Sequence, residues 1–286
     1  METMVERKPT GRARAQAATH RRSGPWTRAL VTGGSAGIGE AFARALAVDG
    51  TKLILVARGP EPLTRLADEL GAQHRVEVEV LPADLTDAAD LARIETRLEA
   101  DQRPIDLLVN NAGSETEHGR FVERDRELLA AEVELNVLAL MRLTHAAIGA
   151  MSSRGRGHVI NVSAGNALFP TPGSCSYGAS KAFVNSFTEA LAYELRDSGV
   201  SLTAVCPGFT RTGAQDRLGL NRRAFPGFVW READEVAHMA LRAATRGKVI
   251  SWLGFSGAFA ALVGRHLPHR LLIPQVARAT ARMAND

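Results

Sequence analysis

The chain predicts a doubly wound α/β fold built on a parallel sheet of seven strands, in a single domain with a small lid. Three observations carry this. From residue 27 onward, short apolar runs alternate with longer amphipathic stretches, the pattern of consecutive β-α-β units. The first apolar run, Ala29-Leu30-Val31, passes straight into a glycine-rich turn, Thr32-Gly33-Gly34-Ser35-Ala36-Gly37-Ile38-Gly39, ahead of an amphipathic stretch. At 286 residues with 45% hydrophobic content, the chain is long enough to bury an ample core.

Taken in order, the apolar runs predict strands over residues 29–32, 52–57, 76–81, 105–109, 157–162, 201–206 and 248–252. The amphipathic stretches predict helices beginning near Gly37, Glu61, Asp87, Asp125, Ser176 and Glu232. Right-handed crossovers place such helices on both faces of the sheet, and ligands then bind outside the carboxyl ends of the strands. Every motif discussed below falls at those ends. The loop-rich segment 208–231 is expected to fold over the site as a lid, with Phe225, Phe228 and Trp230 either lining an apolar pocket or packing the lid down.

The termini stand apart from the domain at 27–254. Residues 1–26 read as a disordered basic tail without hydrophobic periodicity. The formal charge of +4 belongs to this arm, because residues 1–28 alone balance at +5 and the rest of the chain is near neutral. No recognition motif accompanies the arm, so a nucleic-acid partner is not expected. It has no apolar core of a signal peptide, and Glu2 and Glu6 argue against a transit peptide. Residues 255–286 are expected to form a C-terminal helical extension. The uncharged run 249–264 falls short of the about 20 apolar residues that span a bilayer. Packing on the body or a subunit contact is preferred over a lipid surface. Cys175 and Cys206 show neither disulfide nor metal spacing, and the eight histidines are scattered, which suggests a reducing, cytoplasmic setting and no metal site.

The glycine turn has a physical role of its own. Small residues between a buried strand and a helix let backbone amides approach a pyrophosphate at the helix N-terminus, where unpaired N–H groups and the helix dipole favour anions. Arg58 follows the end of the second strand, where a carboxylate would bind the ribose hydroxyls of NAD. An arginine there pairs instead with a 2′-phosphate, so NADP is the expected cofactor and NAD the lesser one. Farther along, Tyr177-Gly178-Ala179-Ser180-Lys181 puts a phenol and an amine four residues apart on one helical face. The amine's charge favours phenolate and should lower the tyrosine pKa toward the operating pH, making the hydroxyl a usable proton donor or acceptor.

In sequence order, Thr32-Gly33 with Gly37 and Gly39, Asp84-Leu85, Asn110-Asn111-Ala112-Gly113, Asn136, Tyr177 with Lys181, and Pro207-Gly208 resemble the short-chain dehydrogenase/reductase family over roughly residues 27 to 252. The resemblance implies a Rossmann-like fold and interconversion of a carbonyl and an alcohol, and the apolar residues Phe225, Phe228 and Trp230 suggest a substrate that is small to medium and lipophilic. It implies Tyr177 as general acid or base, Lys181 holding the nicotinamide ribose as well, and Asn136 anchoring a water in the proton path. Around the cofactor it implies Gly33, Ser35, Gly37, Ile38, Gly39 and Arg58. Asp84 and Leu85 would frame the adenine, and Asn111, Ala112 and Gly113 would pack toward the ribose and nicotinamide. Pro207, Gly208, Thr210 and Thr212 complete the set, and the family pattern also implies a homodimer or homotetramer.

One position departs from that pattern. Counting forward along the strand or back from Tyr177 puts Ala164 where the family carries a substrate-binding serine. Three readings stay open: a weaker oxygen-binding site, recruitment of Ser163 or Ser174, or an inactive chain. The last is the alternative function, a nucleotide-binding regulatory or scaffold protein without turnover. Ser163 neighbours Ala164 on a strand and so should face the opposite side, in a structural role.

Overall fold

The computed structural model describes residues 25–116, 118–213, 226–253 and 269–284. The basic arm up to residue 24, residues 214–225 of the expected lid and residues 254–268 lie outside these. Seven parallel strands form the central sheet: β1 (Arg28–Thr32), β2 (Lys52–Ala57), β3 (Val78–Pro82), β4 (Leu107–Asn110), β5 (Gly157–Val162), β6 (Val200–Cys206) and, after the lid, β9 (Ile250–Trp252). Their order is β3-β2-β1-β4-β5-β6-β9, all parallel, as the alternating pattern predicts. The order reverses at β1, which opens a crevice between the carboxyl ends of β1 and β4.

Strand bounds move by one or two residues from the sequence reading, and the reason is physical. Val76 and Ile105 are buried, yet neither lies in a strand, because apolarity reports burial while a strand also needs a ladder partner. Just before β4, Asp106 is held by its side chain, which accepts from the backbone N–H groups of Thr27 (3.0 Å) and Arg28 (2.9 Å). That pair of contacts aligns the entry of β4 with the entry of β1.

Helices α1 (Gly37–Val48), α2 (Pro60–His74) and α7 (Ala233–Thr245) cover one face of the sheet. Phe42, Leu46, Leu63, Leu70, Val236 and Leu241 fill the interface there. Helices α3 (Ala88–Glu99), α5 (Leu140–Ser153) and α6 (Cys175–Glu194) cover the other, through Leu91, Ile94, Leu98, Leu143 and Met151. Each fully buried side chain of this size contributes about 1.5–3 kcal/mol of hydrophobic stabilisation. Asp87 and Asp125, the residues at which two helices were expected to begin, are their N-caps. Asp87 accepts from the N–H groups of Ala89 and Asp90, Asp125 from those of Glu127 and Leu128. The helix begun by Asp125, α4 (Arg126–Val133), runs through one π-helical segment, Glu134–Ala139, into α5.

Two short strands, β7 (Thr210–Arg211) and β8 (Arg231–Glu232), pair in parallel and bring the two ends of the segment expected to form a lid together. The C-terminal extension is helical over α8 (His269–Ala284).

Candidate active site

The glycine turn packs tightly at the start of α1. A Cβ on Gly39 would lie 2.1 Å from the Gly33 carbonyl oxygen, so only glycine fits where the turn folds back onto the helix. Gly33 has φ +64° and Gly37 φ +58°, left-handed conformations that side chains disfavour. The N-cap of α1 is Ala36, which has no side chain to satisfy the first-turn N–H groups. Those donors therefore face outward from a turn stripped of side-chain bulk, a cradle suited to a pyrophosphate. Ser35 is half-buried in the same turn, and Ile38 turns inward against the core.

The neighbouring strand ends complete the crevice. Arg58 is exposed just past β2 and makes no hydrogen bond or ion pair among the described residues. Asp84, past β3, folds its carboxylate back onto Thr86, accepting from the backbone N–H at 3.0 Å and the hydroxyl at 2.7 Å. Those bonds, with help from the Arg58 charge, hold its pKa below the usual carboxylate range. Leu85 is buried beside it. Past β4, Asn111 is spent on the turn itself: its amide donates to the carbonyls of Thr32 (2.9 Å) and Gly33 (3.3 Å). The Thr32 hydroxyl in return accepts from the N–H groups of Asn111 and Ala112. Asn111 thus fixes the crevice walls to each other rather than reaching out of them.

Gly113 is where the second half of the site converges. A Cβ there would meet Asn136 Oδ1 at 2.8 Å and Lys181 Nζ at 3.2 Å. Asn136 sits in the π-helical segment, a feature common at functional sites. It is locked to the loop after β4, donating to the Ser114 carbonyl (2.7 Å) and accepting from the Ser114 N–H (3.0 Å). Lys181 is buried and donates from Nζ to the Val162 carbonyl at 3.0 Å. Burial pulls its pKa down to about 8. Its Nζ lies 5.6 Å from the centre of the Tyr177 ring, so the two share one helical face as the four-residue spacing requires.

The expected lowering of the Tyr177 pKa does not appear in this structure. Burial of the hydroxyl pushes it up, and the charges of Glu115 and Glu132 push it further. Lys181, whose ammonium donates to the Val162 carbonyl, does not offset this. Tyr177 is therefore held as the neutral phenol, a proton donor.

Ala164 is buried and extended at the end of β5, and Ser163 does not replace it. The Ser163 hydroxyl donates to the Lys181 backbone carbonyl at 3.0 Å, tying β5 to α6. Ser174 is fully buried and donates to Glu115. Both candidate hydroxyls are thus occupied by protein partners. On the lid side, the Pro207 carbonyl accepts from the Gly165 N–H at 2.8 Å, and Gly208 is exposed next to it. Thr210 is buried, with its hydroxyl donating to the Gly208 carbonyl, and Thr212 packs 3.2 Å from the Cβ position of Gly37. The segment after β6 therefore starts against the glycine turn. Trp230 is buried against Phe209, ring centres 5.2 Å apart, so it packs this segment down; Phe225 and the side chain of Phe228 lie outside the described residues.

Sequence reasoning passed over two further groups. One is a buried polar chain beneath the site, in which Asn110 donates to Thr144 and Asn161, and Asn161 to Thr188, each at 2.9 Å, joining β4, α5, β5 and α6. The other is the acidic pair Glu115 and Glu132. Only the buried setting of their neighbours distinguishes them from surface glutamates, and spacing carries no sign of that.

The family model described as short chain dehydrogenase matches residues 27–223. Nodulation protein G of Rhizobium sp. (strain N33) is 36% identical over 191 residues, 67% of this chain and 76% of that protein. Among solved structures, a short-chain dehydrogenase from Sphingobium yanoikuyae in complex with NADPH is 37% identical, with a TM-score of 0.76 over 84% of this chain and 93% of that one. The bulky-bulky ketone specific alcohol dehydrogenase from Comamonas testosteroni is 30% identical, with a TM-score of 0.71 over 86% of this chain and 98% of that one.

Proposed function

The chain belongs to the short-chain dehydrogenase family of oxidoreductases, and from that premise we propose that it interconverts a carbonyl and an alcohol with NADP(H), Tyr177 acting as general acid or base. The convergence of Tyr177, Lys181 and Asn136 around Gly113, beside the glycine turn, carries this reading. A nicotinamide dinucleotide held there would supply or accept the hydride. The cradle at Gly33, Gly37 and Gly39 and the outward N–H groups of α1 would hold its pyrophosphate, and Arg58 its 2′-phosphate. Tyr177 gives the substrate oxygen a proton in reduction and takes it back in oxidation. Lys181 would bind the nicotinamide ribose. Asn136 keeps the loop after β4 in place and would anchor water on the proton path.

A lipophilic ketone, aldehyde or secondary alcohol is the proposed class, supported by the similarity to the bulky-bulky ketone specific alcohol dehydrogenase from Comamonas testosteroni. A homo-oligomer and a cytoplasmic location belong to the proposal as well.

The experiment is a screen of ketones and aldehydes for NADPH oxidation, run on the parent, Tyr177→Phe and Ala164→Ser. The phenylalanine variant should lose nearly all turnover while cofactor affinity stays within a few-fold. Ala164→Ser adds a donor where negative charge grows on the substrate oxygen, and should raise kcat about ten-fold or more. Near-normal rates in Tyr177→Phe would defeat the mechanism. Cofactor binding without turnover in the parent and in Ala164→Ser would turn the assignment to a regulatory nucleotide-binding protein.

A further inference from the structure

Charge is segregated along the chain. Residues 29–235 hold 21 Lys and Arg against 28 Asp and Glu, whereas from Val236 to Asn285 there are seven Lys and Arg and no acid at all. Three of the seven, Arg270, Arg278 and Arg282, belong to α8, so no carboxylate three or four residues away on the same helix offsets their charge. Packing sets α8 apart as well. Whereas α7 buries Val236, Ala237, Ala240, Leu241, Ala243 and Ala244, no side chain of α8 is buried over residues 270–278. Leu272, Ile273 and Val276 share one side of the helix and are half-buried. Arg270, Leu271, Gln275 and Arg278 are exposed, Leu271 to 58%. The packing of α8 on the body is thus partial, and it leaves a basic, aliphatic helix at the surface.

We propose that α8 is an interfacial helix that seats the protein on an anionic lipid surface, its aliphatic side entering the acyl boundary and its arginines meeting the headgroup phosphates. The inference does not depend on the reaction. Helices that lie in a membrane interface combine a Lys- or Arg-rich polar face with an apolar one, and their binding sums buried apolar area with attraction to anionic lipid. The 16 residues of α8 extend about 24 Å, short of the about 30 Å of a hydrocarbon core, so the helix lies along the surface and does not cross it. The acidic excess of residues 29–235 is repelled by the same surface, which leaves the basic end of the chain as the contact. Other occupants fit less well. A nucleic acid would meet the arginines through its phosphates, but α8 carries no aromatic ring on which a base could stack. A second copy docking through α8 in a two-fold contact would bring the arginines of both helices together.

Co-sedimentation with vesicles tests this, phosphatidylcholine mixed with phosphatidylserine being compared with phosphatidylcholine alone at physiological salt. Residues 1–28 balance at +5 and would bind the mixed vesicles by charge, so the comparison is made on protein lacking residues 1–24 as well as on the full chain. Both should bind the mixed vesicles and neither the neutral ones. Each basic residue near an anionic surface strengthens binding about five-fold, so Arg270→Gln, Arg278→Gln and Arg282→Gln together should weaken it about 100-fold in the shortened protein. Leu272→Gln with Ile273→Gln should weaken it about ten-fold or more, an effect that charge alone does not produce. Thermal unfolding checks that each variant is folded, which the absence of buried side chains over residues 270–278 favours. Should the double variant unfold, Leu271→Gln at the exposed position carries the apolar test with an expected loss of a few-fold. A shortened protein that ignores the mixed vesicles, or that binds them equally well with the α8 substitutions, overturns the proposal. So does retention of α8 by single-stranded RNA in place of vesicles, or a change of oligomeric state in the Leu272 and Ile273 variant of a protein that binds no vesicle, which would assign the helix to a contact between copies.

Discussion

Replacing Gly113 by alanine tests the convergence on which the site depends. The added methyl would lie 2.8 Å from Asn136 Oδ1 and 3.2 Å from Lys181 Nζ, where ordinary contact begins at 3.4 Å. Asn136 cannot retreat freely, because the same side chain holds Ser114 through bonds of 2.7 and 3.0 Å. Relief therefore requires a displacement of roughly half an ångström in Asn136, in Lys181 or in the loop between them, and overpacking of this kind costs about 1–3 kcal/mol. For a domain of this size each kcal/mol lowers Tm by about 2–4 °C. The kinetic effect should exceed the stability effect, since displacing catalytic groups by a fraction of an ångström to 1 Å reduces rate by up to about 100-fold. The assay is NADPH oxidation at saturating cofactor beside thermal unfolding. Gly149→Ala serves as the control: it lies in the middle of α5 with nothing within 4 Å of its Cβ position, and should gain about 0.5–1 kcal/mol with unchanged rates. A Gly113→Ala protein with parental kcat/KM and Tm would refute the reasoning.

Arg58→Ala should weaken NADPH about ten-fold and NADH less than two-fold. One charge-assisted contact at an exposed arginine contributes at the low end of about 1.5–3 kcal/mol, and fluorescence titration of both cofactors measures it; equal losses would move Arg58 away from the 2′-phosphate. His158 gives a pH dependence. It is buried beside Trp26 and bonded to Thr203 at 3.0 Å, and burial lowers its pKa from 6.5 to about 4. The native state thus holds it neutral while the unfolded chain protonates it. This contribution to stability is present above pH 6.5 and is lost as the pH falls toward 4, by up to about 3 kcal/mol. His158→Gln should flatten that part of the denaturant-derived stability profile, and a profile equally steep without the histidine excludes it as the cause.

Much of the fold was legible because it depends on local patterns. Apolar runs such as Leu53-Ile54-Leu55-Val56 mark buried parallel strands, and Asp87 and Asp125 mark helix starts through the chemistry of capping. The glycine turn and the four-residue spacing of Tyr177 and Lys181 are likewise local, so their placement at the strand ends was fixed once the order of elements was known. Tertiary structure decided what depends on distance through space. Glu115 and Ser174 lie 59 positions apart, and the field on Tyr177 sums burial with charges from separate elements, so the direction of its pKa shift reversed from the expectation drawn from Lys181 alone. The fates of Ser163 and Ser174 were decided in the same way, by which buried acceptor each hydroxyl met. Sequence patterns set the periodicities and backbone freedoms that build the frame. Desolvation and Coulomb interactions, which act between residues the chain brings together only on folding, determine what the groups in that frame do.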